Sequence, residues 1–393
     1  VVVVPGNAGI AAHGIACSTA PVADLEADLV VVGPELPLVE GLGDQLRATG
    51  RLVMGPNVDG AQLEASKAYM KDFLAAAGVP TAAYGTFTEP EPALAFLETM
   101  VAPYVIKTDG LAAGKGVLVT NSLDEARADV LDKLSGNAFG AAGSTVVIEE
   151  GLDGEECSLI VLCDGEHLFP LVTAQDFKRV GDGGTGANTG GMGAYAPMPH
   201  VAPETVEVIM SSILVPTLAE LTRRGIDYRG VLYAGVMLTS KGPKLLEYNV
   251  RFGDPETEVL VPLYGDNLFE MLRATAAGEL NDVNAEATGA AVTVVLASHG
   301  YPESSRSGDV ITGLGDDGQL ASPIGGVVVF HAGTARNEQG HFVTNGGRVL
   351  AVTAIANDVT SARALAYRAV DQISFDGRVV RRDIALAASK GSA

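Results

Sequence analysis

The order of short apolar runs predicts an α/β fold with a parallel amino-terminal region, followed by a smaller α+β module at the carboxyl end. Three observations carry this. First, β-branched runs at Val1–Val4, Leu29–Val32 and Leu52–Met54 end in glycine-rich breaks, the pattern of parallel strands buried on both faces. Second, Leu63, Met70, Phe73, Leu74 and Ala77 recur on one helical face and Gly78 closes the turn, which predicts a helix over Ala61–Ala77. Third, beyond about residue 289 strands at Ala290–Ala297, Val327–His331 and Val349–Ala354 accompany a helix over Ser361–Ile373.

A chain of 393 residues suits two to four domains at roughly 150 residues each. A hydrophobic content of 47%, with 48 glycines and 19 prolines, is that of a compact α/β protein rather than a disordered one. The net charge of −22 disfavours nucleic acid, which needs a basic footprint. A small phosphorylated ligand stays open, because local lysines and a metal ion can reverse the field inside one cleft. Cys17, Cys157 and Cys163 form no C-x-x-C pair, so free thiols in a reducing, cytoplasmic compartment are expected. The six histidines include no H-E-x-x-H, which argues against a zinc site. No apolar run approaches the roughly 18 residues of a membrane span. Val1–Val4 lacks the basic segment of a secretory signal and reads as a strand entered partway.

The most informative stretch runs from Leu245 to Glu258. A strand over Lys244–Val250 follows a Lys241-Gly242-Pro243 turn, so Glu247, Asn249 and Arg251 point one way and Leu246, Tyr248 and Val250 the other. A carboxylate and an amide oxygen at this spacing suit Mg²⁺, which keeps waters and phosphate oxygens in its remaining positions. Arg251 can fork onto a carboxylate or phosphate. The solvated face of an antiparallel strand would alternate in the same way. The Gly253-Asp254-Pro255 break favours a ligand, because it places several charges at one strand end.

Upstream, Glu35 stands at a strand end where a carboxylate can hold a ribose diol. Tyr104–Thr108 is a strand leading into Asp109–Gly116, a glycine-rich hairpin loop over which Lys107 and Lys115 can donate to phosphates. It is no P-loop: Gly110 and Gly114 are one residue too close, no Ser or Thr follows Lys115, and a strand rather than a helix continues. Thr145–Glu149 is a strand entering the acidic segment Glu150–Glu156, whose freed backbone can bond a base and whose carboxylates can take ribose hydroxyls. From Asp176 to Gly193 a long loop is expected. Its G-x-G-x-x-G match lacks a leading strand and a following helix, but its Lys, Arg, Asp and Asn content favours ligand contact. A helix over Pro203–Arg224 and a strand over Val231–Thr239 precede the Glu247 strand.

Taken together, these pieces resemble the glycinamide ribonucleotide synthetase family of the ATP-grasp superfamily. The matches are Gly33-Pro34-Glu35, Ser66-Lys67, Lys107–Gly110 with Gly114-Lys115-Gly116, Gln175–Arg179, Asn188–Gly193 and Arg251–Glu258. The resemblance implies an ATP-grasp fold in which two lobes clamp ATP. Its amino-terminal α/β domain (1–60) is Rossmann-like, its ATP-grasp domain is 61–288 with a lid near 82–152, and its α+β domain is 289–393. It also implies the ATP-dependent joining of glycine to 5-phosphoribosylamine through glycyl phosphate, by a monomer or weak dimer. Lys67, Lys107 and Lys115 would bind phosphates; Glu149, Glu150 and Leu152 would frame the adenine, and Glu156 the ribose. Glu247 and Asn249 would hold Mg²⁺ or Mn²⁺. Glu35, Asp176, Lys178, Asp182, Asn188, Thr189, Gly190, Gly191, Met192, Gly193, Arg251 and Asp254 would meet substrates, with Arg251 and Lys115 catalytic. The chain departs from the family in lacking an initial strand and Arg-Glu-His loop, in a shortened segment near Ser18, and in having Ala187 for proline and Gly151 for an aromatic. Tyr233–Met237 also lacks the second acid that many relatives carry.

Overall fold

The computed structural model describes residues 1–110, 116–136 and 145–391. The chain opens with β1 (Val2–Val3), α1 (Ala8–Ala12), β2 (Ala16–Cys17), β3 (Leu29–Val31), α2 (Glu35–Val39), α3 (Leu42–Arg47) and β4 (Leu52–Met54). The strands are parallel as expected, but as two separate pairs, β1 with β2 and β3 with β4. They are not sealed on both faces, for Val31 is 43% exposed and Val2 50%.

The single helix expected over Ala61–Ala77 is two, α4 (Val58–Ala65) and α5 (Lys67–Ala77). Ser66 is extended between them, and its hydroxyl accepts from the Tyr69 N–H at 3.0 Å. A serine that caps a new helix competes with its own place inside the old one. The break puts Lys67 in the first turn of α5.

The segment expected as the lid follows: β5 (Tyr84–Phe87), α6 (Pro90–Leu97), β6 (Tyr104–Thr108), β7 (Val117–Thr120), α7 (Leu123–Leu134) and β8 (Val146–Glu150). Its antiparallel sheet runs β5-β8-β6-β7, and Leu97, Ile106, Val130 and Ile148 form a core of their own under the two helices. Gly151 has a reason here: a Cβ at this position would lie 2.2 Å from Pro103 Cγ and 2.6 Å from its carbonyl oxygen, so no larger side chain fits.

The body continues with β9 (Glu155–Asp164), β10 (Leu168–Pro170), β11 (Gln175–Asp176), β12 (Arg179–Gly181), β13 (Thr185–Asn188) and β14 (Gly193–Ala196). The segment expected as an unstructured loop therefore contains a hairpin, β12 with β13. Gly183 and Gly184 take φ of 69° and 70° in its turn, the left-handed geometry that tight hairpin turns require. Next come α8 (Pro203–Ile209), a π-helical turn over Met210–Leu214, α9 (Val215–Arg223), β15 (Arg229–Thr239) and β16 (Gly242–Asn249). Within the helical stretch Pro203–Arg223 an 18-residue window has mean hydropathy 1.4, long and apolar enough by composition to cross a membrane. No uninterrupted apolar run reveals this, and Ile209, Ile213, Leu214 and Leu221 spend that apolar face in the main core.

Strands β10-β9-β15-β16 form the main antiparallel sheet. Gly235 pairs with Glu247, but Val236 pairs with Leu245, leaving Leu246 as a bulge. The bulge shifts the alternation. Leu245, Tyr248 and Val250 are buried, and Leu246 stands with Glu247 and Asn249 on the open side, correcting the two-residue alternation expected for Leu246.

The remaining elements are α10 (Thr257–Tyr264), α11 (Asn267–Ala277), β17 (Ala290–Ala297), β18 (Val327–His331), β19 (Thr334–Arg336), β20 (Phe342–Thr344), β21 (Arg348–Ala356), α12 (Val359–Val370) and α13 (Leu386–Ser389). A five-stranded sheet, β11-β14-β17-β21-β18, draws β11 and β14 from the middle of the chain. Phe73 of α5 has no exposed surface, and the Arg224 guanidinium stacks 4.6 Å from its ring centre. Phe73→Ala is expected to cost about 3–5 kcal/mol, measured as a lower urea midpoint at unchanged slope.

Candidate active site

The site assembles around the end of β16. Glu247 is 40% exposed, and burial alone would favour its neutral form. Lys178, Lys107, Lys67 and Arg251 outweigh that and hold its carboxyl below the usual range. Four cations from separate stretches thus converge on one carboxylate in a chain of strongly negative net charge. Lys178 Nζ lies 3.9 Å from Glu247 Oε1. Asn249 Oδ1 accepts from Arg251 at 3.1 Å. Opposite Glu247 stands Gly235, whose Cβ position would be 3.4 Å from Glu247 Cγ. The described residues contain no group of three or more His, Cys, Asp or Glu able to hold a metal. Two oxygen donors beside so many cations suit a Mg²⁺ ion that brings phosphate oxygens with it, rather than an all-protein cage.

The lid supplies Lys107 and the body supplies Lys67. Lys67 Nζ donates to the Gly110 carbonyl at 3.2 Å. Asp109 reaches back to accept from Ser66 Oγ and the Ala68 N–H, each at 3.1 Å, so the head of the glycine-rich loop caps α5. Lys107 Nζ donates to the Leu246 carbonyl at 3.3 Å, which the bulge turns toward it. It also pairs with Glu149 at 2.9 Å. Glu149 is buried, and its carboxylate also takes Lys71 at 3.2 Å, so lysines rather than open space surround it. Glu150 accepts from Lys244 at 2.8 Å and from the Ala83 N–H at 3.1 Å. The Lys244 bond, then that of Ala83, holds its carboxyl low. Leu152 is half-buried just after β8. Lys115 lies outside the described residues.

On the opposite wall, Lys178 Nζ donates to Glu156 at 2.7 Å. Burial would lower its pKa, but Asp176, Glu156 and Glu247 raise it well above the usual value. Asp176 is pushed up to about 7 by burial, with Lys178 pulling the other way and Glu256 adding to the rise. Behind it, Ser158 Oγ and Tyr233 Oη lie 2.8 Å apart and both bond to the buried Glu256.

Arg251 is held on three sides: Glu64 at 3.0 Å, Glu35 at 3.4 Å, and Asn249. Burial pushes Glu64 up to about 7 against the pull of Arg251. The Asn188–Gly193 stretch folds against the same end of the sheet. Thr189 N–H donates to the Lys178 carbonyl at 2.7 Å, and Met192 N–H to that of Phe177 at 2.9 Å. A Cβ on Gly191 would lie 2.3 Å from Pro255, and one on Gly193 2.5 Å from the Thr293 carbonyl oxygen. Asn188 pairs with Arg179 in the hairpin.

Two placements differ from expectation. Asp182 is exposed and accepts from the Arg382 N–H at 2.7 Å, so it is tied to the carboxyl-terminal segment rather than to the Glu247 cluster. The carboxyl-terminal module, in which the sequence offered no candidate residue, does reach the cleft. Arg348 pairs with Asp254 at 2.6 Å and donates to the Gly190 carbonyl at 2.5 Å, while Tyr301 Oη accepts from the Gly190 N–H at 3.0 Å. Arg348 and Tyr301 carry no local signal, since each acts across more than 90 residues of chain. Glu64 and Lys71 were also missed. Lys71 had a signal, lying four residues after Lys67 and so on the same helical face.

Comparison with known proteins accords with this geometry. The phosphoribosylglycinamide synthetase N domain matches residues 1–64, its ATP-grasp (A) domain residues 65–257 and its C domain residues 291–387. The phosphoribosylamine–glycine ligase of Vibrio cholerae is 49% identical, covering 97% of this chain and 91% of its own. That of Escherichia coli is 48% identical, at 98% and 91%. The crystal structure of the Thermotoga maritima phosphoribosylamine–glycine ligase superposes with a TM-score of 0.83 at 35% identity, covering 97% of this chain and 93% of that one. The biotin carboxylase domain of Hydrogenobacter thermophilus 2-oxoglutarate carboxylase, solved with MgADP and bicarbonate, shares the fold alone, with a TM-score of 0.70 at 18% identity over 90% of this chain and 76% of that one. With relatives of such identity along nearly its whole length, this chain, an ATP-grasp fold, belongs to the phosphoribosylglycinamide synthetase family.

Proposed function

We propose that this chain is a carbon–nitrogen ligase of purine biosynthesis, joining glycine to 5-phosphoribosylamine with ATP to give glycinamide ribonucleotide, ADP and phosphate. The observation that carries the reading is the convergence of Lys67, Lys107, Lys178 and Arg251 on Glu247. Carboxylate attack on a γ-phosphoryl group needs alignment and charge neutralisation more than a strong base, and this cluster offers both. Glu247 and Asn249 would hold Mg²⁺, which supplies charge neutralisation on the phosphates when bound. Lys67 and Lys107 would take phosphate oxygens. The backbone around Glu150 and Leu152 would frame the adenine and Glu156 the ribose. Lys115 belongs with the phosphate ligands on the motif alone. Arg251, held by Glu35 and Glu64, would orient the glycine carboxylate and then the acyl phosphate.

The second half of the reaction needs a proton acceptor when the amine attacks. Asp176, half-buried near Lys178 and poised about pH 7, suits that role. The loop Asn188–Gly193, with Asp254 held by Arg348, would shape the acceptor's pocket beside the amino-terminal domain (1–60) and Glu35. Residues 61–288 would form the ATP-grasp unit and 289–393 the flanking module. Free thiols and the acidic surface fit a cytoplasmic enzyme with small-molecule substrates, monomeric or weakly dimeric.

A coupled assay of ADP release tests the reading: release should require ATP, glycine and phosphoribosylamine together, and release indifferent to either acceptor would overturn it. Glu247→Ala is expected to lower kcat by about 10²-fold or more while the urea midpoint holds; near-normal turnover would remove the metal assignment. For Asp176 the sign follows from its raised pKa. Below about 7 it carries a proton and cannot accept another, so kcat/KM for phosphoribosylamine should fall as pH drops through that value. Asp176→Asn should lower kcat by about 10²–10⁴-fold and abolish that acid limb.

A further inference from the structure

Lys71 is a charged group of this neighbourhood with no access to the cleft. It has no exposed surface, and its ammonium lies between Glu149 at 3.2 Å and Thr81 Oγ1 at 2.7 Å. Thr81 in turn donates to the Leu245 carbonyl at 2.7 Å, so Lys71 is anchored toward both the lid and the main sheet. Glu149 is 2% exposed and is shared by two ammonium groups, Lys71 and Lys107. Lys107 differs from its partner. It also reaches the Leu246 carbonyl, one residue from Glu247, and its side chain keeps 8% of its surface open. Of the three groups, only Lys107 faces where phosphates would sit.

A buried carboxylate stripped of its partner is strongly disfavoured. A pair made of Glu149 and Lys107 alone would oppose nucleotide binding, because turning Lys107 toward a phosphate would strand Glu149. We propose that Lys71 is a positioning residue that stays paired with Glu149 while Lys107 exchanges that carboxylate for the phosphates of ATP. Burial lowers the Lys71 pKa to about 8 against the pull of Glu149, so the ammonium persists at neutral pH. Tyr84, whose ring centre lies 5.4 Å from Lys71 Nζ, adds an aromatic face to the same pocket. The proposal rests on ATP being the substrate of this cleft.

The test is a double-mutant cycle read by MgATP affinity, using calorimetry on the full chain alongside KM for each substrate. Lys71→Met should weaken MgATP binding about tenfold or more, with KM for phosphoribosylamine within about twofold, and Lys71→Arg should restore most of the affinity. In a Glu149→Gln background, where no charge is left to strand, Lys71→Met should cost no more than about twofold. Undiminished affinity in Lys71→Met, or an equal loss in both backgrounds, overturns the proposal. Should Lys71→Met fail to fold, the same comparison is made with Lys71→Arg and with the double variant, whose affinity should match Glu149→Gln. A wild-type chain that fails to bind MgATP would instead strike the functional reading itself.

Discussion

One electrostatic balance organises the cleft: a single carboxylate at the end of β16, faced by four cations that no local segment could bring together. Lys67 comes from the first turn of α5, Lys107 from the lid, Lys178 from the link between β11 and β12, and Arg251 from just beyond β16 itself. Like charges crowded this way repel unless something negative sits among them. Glu247 supplies part of that negative charge, and Glu149, Glu156, Glu35 and Glu64 supply more by pairing with Lys107, Lys178 and Arg251. Nucleotide phosphates and their metal ion would enter this balance by exchange with those carboxylates, which would let a chain of net charge −22 hold an anion.

The geometry that makes this possible lies in small backbone irregularities. The bulge at Leu246 turns a carbonyl toward Lys107 and leaves Glu247 on the open face. The break at Ser66 converts a would-be mid-helix lysine into one at a helix start, where Asp109 of the lid loop docks. Gly191 and Gly193 let the backbone of one loop approach Pro255 and β17 more closely than any Cβ allows. Each irregularity costs regular hydrogen bonding or packing locally, and each places a group at the cleft.

The carboxyl-terminal module shows how far apart such contributions can lie. Its sheet takes in β11 and β14, so Asp176 stands on a strand continuous with β17 and β21. Arg348, at the start of β21, then grips both Asp254 and Gly190. A module that looks accessory along the chain is therefore part of the wall of the cleft.

Much of the site could be read from residues alone. The acid–amide pair on a strand, Lys107 at a strand end and the strand over Val231–Thr239 before the Glu247 strand all follow from local chemistry and strand periodicity. Those properties are written within a few residues of each other. Only the tertiary structure decided what surrounds those groups: Glu64 on Arg251, Lys71 behind Glu149, Arg348 on Asp254, and Asp182 tied to Arg382. Ion pairs and hydrogen bonds between residues far apart in the chain leave no periodicity and no spacing. Their partners are chosen by which surfaces packing brings together, and burial then sets how strongly each charge is felt.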